Sequence, residues 1–260
     1  MRFKLTLEVN KKAFGNLLPI NYQYEQSALI YKLLASANEE YAEWLHENGF
    51  VAENGKHFKL FTYSPLKIEK RKVLIERNLI QILSDTVEWQ ISFMPEKTTE
   101  KFIEGLFQNQ VFEIGDKQHV VQFWVRNVEV MDALEYAETM MFEAMSPICL
   151  KNKTDRTDEY LRPDDERAEQ LILDALLSKY EAYYGTPFVG DVSDFDFHVE
   201  NQPKRKKILV KANTQFPIYV VGYQCCFSMK APLELMKIAY ESGVGSECSM
   251  GFGCVRCACK

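Results

Sequence analysis

The chain has 260 residues, 47% of them hydrophobic and 26% charged, with a formal net charge of −6. That composition fits one large globular domain or two ordinary ones. No apolar run approaches the roughly 20 residues of a membrane span, and the acidic total weighs against nucleic-acid binding unless cations cluster locally. Seven cysteines, an odd number, with no export signal point to reduced thiols and a cytoplasmic location.

At the N-terminus Phe3, Leu5, Leu7 and Val9 alternate with polar residues, which is the pattern of a half-buried strand and not of a signal peptide. Residues 23–36 read as a helix that buries Leu29, Ile30, Leu33 and Leu34. Ser36-Ala37-Asn38-Glu39 fits a capping box opening a second short helix, which closes near Gly49. Leu60–Tyr63 reads as a short strand, and Val87, Trp89, Ile91 and Phe93 alternate in another. Pro95–Asn109 reads as a helix with Phe102, Ile103, Leu106 and Phe107 inward. Val121–Val130 is a strand with one break in phase. The order is β-α-β-β-α-β, the ferredoxin-like arrangement.

The second half repeats that order without repeating the sequence. Residues 138–149 are extended, Asp164–Tyr184 is a long helix, and Phe195–Val199, Ile208–Ala212 and Tyr219–Ser228 are strands. Pro232–Ser242 is a helix with proline at its start, and Phe252–Cys259 is a last strand. Lys151–Arg162 is charged and reads as a mobile loop. The expected fold class is α+β, two tandem ferredoxin-like (RRM-like) domains spanning 1–133 and 134–260, joined near Asp132–Tyr136. Such sheets serve many tasks, RNA recognition among them, so fold alone assigns no function.

Between the last helix and last strand lies Gly243-Val244-Gly245-Ser246-Glu247-Cys248-Ser249-Met250-Gly251-Phe252-Gly253, two Gly-x-Gly pairs around a polar core. Runs of backbone N–H groups in such loops make anion-binding nests. Two cationic clusters, Lys67–Lys72 and Lys204–Lys207, stand out against the net charge, although a solvated face is the plainer reading of each alone. No Walker loop or dinucleotide fingerprint is present. Cys254-Val255-Arg256-Cys257 lacks a second pair at zinc spacing. Asp191, Asp194 and Asp196 read as a soluble loop, and His119 and His198 as structural. His46 falls near the end of the second helix, where the dipole favours a cation and a proton-transfer group is well placed. Taken singly, His46 reads as a helix-end cap, Tyr31 as a core or rim residue and Lys59 as a strand-edge lysine.

Together, Phe3–Val9, Leu18-Pro19-Ile20-Asn21-Tyr22-Gln23-Tyr24, Leu29-Ile30-Tyr31, Leu45-His46-Glu47, Lys59-Leu60-Phe61-Thr62-Tyr63-Ser64 and the glycine loop resemble the CRISPR-associated endoribonucleases that cut repeat RNA. These belong to the repeat-associated mysterious protein superfamily, and the resemblance covers nearly the whole chain. It implies two ferredoxin-like domains side by side and RNA cleavage without metal or cofactor. A ribose 2′-OH displaces the next nucleotide, leaving a 2′,3′-cyclic phosphate and a 5′-OH. Carried over by motif, His46 transfers protons, Tyr31 orients the 2′-OH or shares that transfer, and Lys59 stabilises charge on the phosphate. The stretch between His46 and Lys59 is longer than the family pattern and contains Lys56 and His57, which stand in reserve. The RNA would lie along Lys67, Lys70, Arg71, Lys72, Lys204, Arg205, Lys206 and Lys207 and along Gly243, Gly245, Gly251 and Gly253. CRISPR repeat RNA is the implied partner, with the guide-RNA effector complex and a homodimer as further candidates and no membrane. Two other readings remain open: a non-catalytic RNA-binding subunit of the superfamily, and an unrelated tandem ferredoxin-like module for a small molecule or protein.

Overall fold

The computed structural model describes residues 1–153, 158–211 and 217–258. In the N-terminal half the elements are β1 (Arg2–Val9), β2 (Leu17–Pro19), α1 (Gln23–Ala37), α2 (Glu39–Glu47), β3 (Phe50–Val51), β4 (His57–Phe58) and β5 (Phe61–Tyr63). There follow β6 (Arg71–Leu74), β7 (Leu79–Ile82), β8 (Thr86–Phe93), α3 (Glu96–Gln108), β9 (Val111–Gly115) and β10 (Val120–Val130). The C-terminal half has β11 (Thr139–Ala144), β12 (Leu150–Lys153), β13 (Asp158–Leu161), α4 (Ala168–Tyr184) and β14 (Asp196–Val199). It ends with β15 (Lys204–Val210), β16 (Ile218–Gln224), β17 (Cys226–Lys230), α5 (Leu233–Ser242) and β18 (Val255–Cys257).

The alternation of apolar residues in β1 and β8 is what lets both strands bury one face against helices. Leu5, Leu7, Trp89, Ile91 and Phe93 are fully enclosed there with Phe102 of α3. The sheet order is β5-β8-β1-β10-β9, a ferredoxin-like sheet with β9 added at one edge. The break in phase in β10 is a bulge: Thr6 pairs with Asn127 and Leu7 with Val125, leaving Arg126 over. The second sheet runs β14-β17-β11-β18, the same four-strand order, packed on α4 and α5 around Phe142, Phe227 and Leu235. The protein is thus a pair of tandem ferredoxin-like folds. Residues 131–138 between them form no helix or strand. Among the described residues no helix is long and apolar enough to cross a membrane.

Several local expectations change. Asn38, not Ser36, caps α2: its Oδ1 accepts from the Tyr41 N–H at 2.7 Å, whereas Ser36 Oγ donates to the Leu33 carbonyl. Phe107 is 67% exposed, because the inward face of α3 is already filled by Phe102 and Leu106. Lys151–Arg162 is not a loop throughout: β12 and β13 pair as a hairpin, and only 154–157 lie outside the described residues. Asp164 is held by Arg162 at 2.7 Å in a turn, so α4 begins at Ala168. Tyr219–Ser228 is two strands, because the chain breaks at Cys225: β16 pairs with β15 in a separate ribbon while β17 joins the sheet. The last strand shortens to Val255–Cys257, and its expected end at Cys259 lies outside the described residues, as does Ala212. Asp194 pairs with Lys230 at 3.0 Å, which gives that aspartate a structural task.

Candidate active site

Tyr31, His46 and Lys59 come together on the N-terminal domain. Tyr31 projects from α1 and His46 from the last turn of α2, and their rings meet edge-on with centroids 5.0 Å apart. Lys59 reaches back from the segment before β5, and its Nζ donates to the His46 carbonyl at 2.7 Å. That carbonyl belongs to the last turn of α2, where helix acceptors lack intrahelical partners, so the ammonium caps the helix that carries His46. Two backbone features make the approach. Gly49 has φ +63°, and a Cβ there would lie 2.5 Å from the Phe58 carbonyl and 3.0 Å from Lys59 Cδ. Leu60, directly after Lys59, is buried in the left-handed region at φ +53°, an uncommon and costly conformation for a leucine.

His46 is exposed, and Tyr31 and Lys59 are half-buried. Burial pushes the Tyr31 hydroxyl well above the ordinary tyrosine range, so at neutral pH it is a protonated donor. Burial lowers the Lys59 ammonium from its ordinary value. Among the described residues neither the Tyr31 hydroxyl nor the His46 ring has a hydrogen-bond partner. The reserve residues lie on the β3–β4 hairpin: the His57 ring is tied to the Asn48 carbonyl at 2.7 Å, and Lys56 is exposed.

The glycine loop is buried in the seam between the two domains. Gly253, at φ +68°, passes so close to the opposite limb of the loop that a Cβ would lie 2.1 Å from the Val244 carbonyl. The amides of Gly243, Gly251 and Gly253 are taken by the carbonyls of Ala239, Cys248 and Pro147. The Gly243 carbonyl accepts from the buried Lys179 ammonium at 2.6 Å. The open nest expected from the sequence is therefore not what these three amides form, because each is already satisfied inside the protein. Instead the loop binds the first domain: Gln23 donates to the Gly251 carbonyl at 2.7 Å, Ser27 to Ser249 at 2.8 Å and Thr62 to Phe252 at 3.0 Å. Gln23, Ser27 and Tyr31 recur every four residues and so share one stripe of α1. The loop consequently lies along the same stripe that carries Tyr31.

Sequence reasoning passed over that polar stripe, although its spacing was there to be read. It also missed Arg2, buried in the seam, which donates to the Val255 and Tyr240 carbonyls at 2.6 Å each and stacks on the Tyr240 ring at 3.8 Å. Nothing in the alternation of β1 separates Arg2 from a solvent-facing cation.

One residue of the first basic cluster and two of the second line a single interdomain cleft of about 400 Å³: Arg71, with Lys206 and Lys207, beside Tyr22, Gln23 and Pro147, whereas Lys67, Lys70, Lys72, Lys204 and Arg205 do not line it. All eight basic residues of the clusters are exposed. Lys67 is partly neutralised by Glu88 at 3.0 Å, and Lys207 lies over the Tyr219 ring at 4.1 Å. From Gln23 at the cleft to Tyr31 is eight residues of helix, about 12 Å.

Two family models cover most of this chain: "CRISPR-associated protein Cas6, N-terminal" over residues 17–128 and "CRISPR associated protein Cas6, C-terminal" over residues 129–257. The chain belongs to the Cas6 family. Among Cas6 relatives, the CRISPR-associated endoribonuclease Cas6 1 of Methanocaldococcus jannaschii is 29% identical, over 98% of this chain and 92% of its own. The CRISPR-associated endoribonuclease Cas6 of Pyrococcus furiosus is 28% identical, over 98% and 89%. A solved structure described as CRISPR associated protein Cas6 superposes with a TM-score of 0.75 at 28% identity and covers 99% of both chains. A second, described as a RAMP protein binding different RNA substrates, has a TM-score of 0.82 at 24% identity over 99% of each and establishes the shared fold.

Proposed function

We propose that this chain is an endoribonuclease that cuts CRISPR repeat RNA in precursor transcripts without a metal ion, and that Tyr31, His46 and Lys59 carry the reaction. The observation that supports it is the convergence of these three residues from three separate segments, with the Tyr31 and His46 rings 5.0 Å apart and Lys59 on the His46 carbonyl at 2.7 Å. The relatives from M. jannaschii and P. furiosus, both described as endoribonucleases, support the same reading.

In the reaction the 2′-oxygen attacks the adjacent phosphorus, the P–O5′ bond breaks, and the products are a 2′,3′-cyclic phosphate and a 5′-OH. The proton that leaves the 2′-OH and the proton that reaches O5′ must both be handled. His46, solvent-exposed and without a hydrogen-bond partner among the described residues, is the proton-transfer group. Tyr31, kept protonated by burial, donates a hydrogen bond that orients the sugar. Lys59 supplies positive charge to the crowded phosphorane. His57 and Lys56 stay in reserve, since the His57 ring is held by the Asn48 carbonyl.

The RNA backbone runs through the cleft between Arg71 and Lys206–Lys207 and follows α1 to the site. On this reading residues 1–133 do the chemistry. Residues 134–260 complete the groove, and their four loop glycines act by seating the domains. The released guide RNA would pass to an effector complex.

The test is incubation with transcribed repeat RNA in excess EDTA, with the product ends identified. Cleavage giving a cyclic phosphate is expected. Cleavage that appears only on adding a divalent metal would overturn the mechanism, and tight binding without cutting would favour a non-catalytic RNA-binding subunit.

A further inference from the structure

A second cavity, of about 640 Å³, opens on the far side of α2 from His46 and is walled by aromatic rings from both domains. Tyr41 and Trp44 project from α2, Phe50 from β3 and Tyr183 from α4. Their rings form a chain, with centroid spacings of 5.5 Å for Tyr41–Trp44, 5.3 Å for Trp44–Phe50 and 6.2 Å for Phe50–Tyr183. Trp44 remains 38% exposed, uncommon for so large a ring, and its indole forms one wall. Core packing accounts for Tyr41, which is 6% exposed with its hydroxyl on Thr98 at 2.5 Å, but not for Trp44. The Lys97 ammonium lies 4.8 Å from the Tyr41 ring centroid and closes one side. Glu40 and Glu96, in the first turns of α2 and α3, also line the cavity, and among the described residues neither carboxylate has a hydrogen-bond or ion-pair partner.

The geometry points to a pocket for one unstacked guanine of the RNA substrate. This rests on the proposed function, because only an RNA substrate held at His46 would bring a base to the opposite face of α2. Trp44 and His46 are two residues apart on one helix and face nearly opposite sides, so the cavity and the catalytic residues are separated by one helix width, about 10 Å. Aromatic walls suit the face of a nucleobase, and base–aromatic stacking contributes ~1–3 kcal/mol per base. Two carboxylates against the single Lys97 ammonium leave the rim net negative, which disfavours phosphate, so the backbone does not enter and a base does. A carboxylate is an acceptor for two parallel N–H donors. Among the four RNA bases guanine presents two such donors side by side, its ring N1–H and exocyclic amino group. The cavity volume falls within the range of about 300–1,000 Å³ usual for small-ligand sites.

The experiment separates this inference from the proposed chemistry by measuring binding in the His46→Ala background. Three fluorescently labelled RNAs are titrated: a decauridylate, the same oligomer with one central guanosine, and that oligomer with inosine in place of guanosine. Expected are tighter binding of the guanosine oligomer than of the decauridylate by at least fivefold, loss of that margin in Trp44→Ala, and partial retention in Trp44→Phe. Inosine, lacking the exocyclic amino group, should fall between the two, and Glu96→Gln combined with Glu40→Gln should erase the difference between guanosine and inosine. Equal binding of the guanosine oligomer and the decauridylate, or a margin that survives Trp44→Ala in a protein with unchanged melting temperature, would overturn the pocket. Failure of wild-type protein to cut repeat RNA would instead overturn the proposed function, and leaves these binding outcomes readable.

Discussion

The two regions that identify this protein are built in opposite ways. His46 is exposed and Tyr31 and Lys59 are half-buried, and among the described residues neither the Tyr31 hydroxyl nor the His46 ring has a hydrogen-bond partner. The glycine loop is closed: Pro147 takes the Gly253 amide, and the carbonyls of Gly243, Gly251, Ser249 and Phe252 accept from Lys179, Gln23, Ser27 and Thr62. A reacting group must meet substrate and so cannot be fully satisfied by the protein. A loop whose hydrogen bonds join two domains has to be. The contrast separates residues whose loss should cost rate from residues whose loss should cost stability.

The largest effect should come from His46→Ala. We expect repeat-RNA cleavage to fall by ~10²–10⁴-fold, while unfolding changes by under ~0.5 kcal/mol because the side chain is exposed. Single-turnover kinetics and thermal melts read the two separately, and a large stability loss would break the distinction. The mirror image is Gly253→Ala. Its Cβ would lie 2.1 Å from the Val244 carbonyl at φ +68°, so a loss of ~2–4 kcal/mol is expected, seen as a melting-temperature drop of roughly 5–15 °C. A variant that melts like the parent but cannot cut would place the loop in the chemistry.

Lys59→Met should lower the rate by roughly 10–100-fold with little change in affinity, as expected for a charge used in the transition state. Because burial lowers the Lys59 value below the ordinary 10.5, its cation is lost earlier as pH rises. The alkaline decline in rate should therefore begin below the ordinary lysine range and move upward in Lys59→Arg. A pH profile unaltered by Lys59→Arg would remove Lys59 from the step. The smallest effect is expected for Ser27→Ala, which removes one seam hydrogen bond worth ~1 kcal/mol and should lower the melting temperature slightly at near-parental rate.

Both ferredoxin-like units were legible because alternation in β1 and β8 and the helical stripes of α1 and α4 report burial directly. Tyr31, His46 and Lys59 could be named as candidates from short motifs, but their meeting depends on left-handed Leu60 and on Gly49, which no pattern of hydrophobicity encodes. The glycine loop is legible as a place of close approach, yet a sequence does not say whether backbone or ligand does the approaching. Here the Val244 carbonyl and the Cys149 carbonyl approach Gly253 and Gly245. The placing of Arg71 with Lys206 and Lys207 was equally hidden, since domain packing alone brings these three to one cleft. Tyr219–Ser228 looked like one strand because Cys225 is as apolar as its neighbours, and only the sheet partners on either side reveal the break.

The most direct test of the central claim is cleavage of a repeat RNA with a single 2′-deoxy substitution at the cut site, in EDTA, beside the all-ribose RNA. Attack by the 2′-oxygen predicts that the all-ribose strand is cut to a cyclic phosphate while the substituted strand is bound with similar affinity and stays intact. Continued cutting of the substituted strand at the same position would contradict the account.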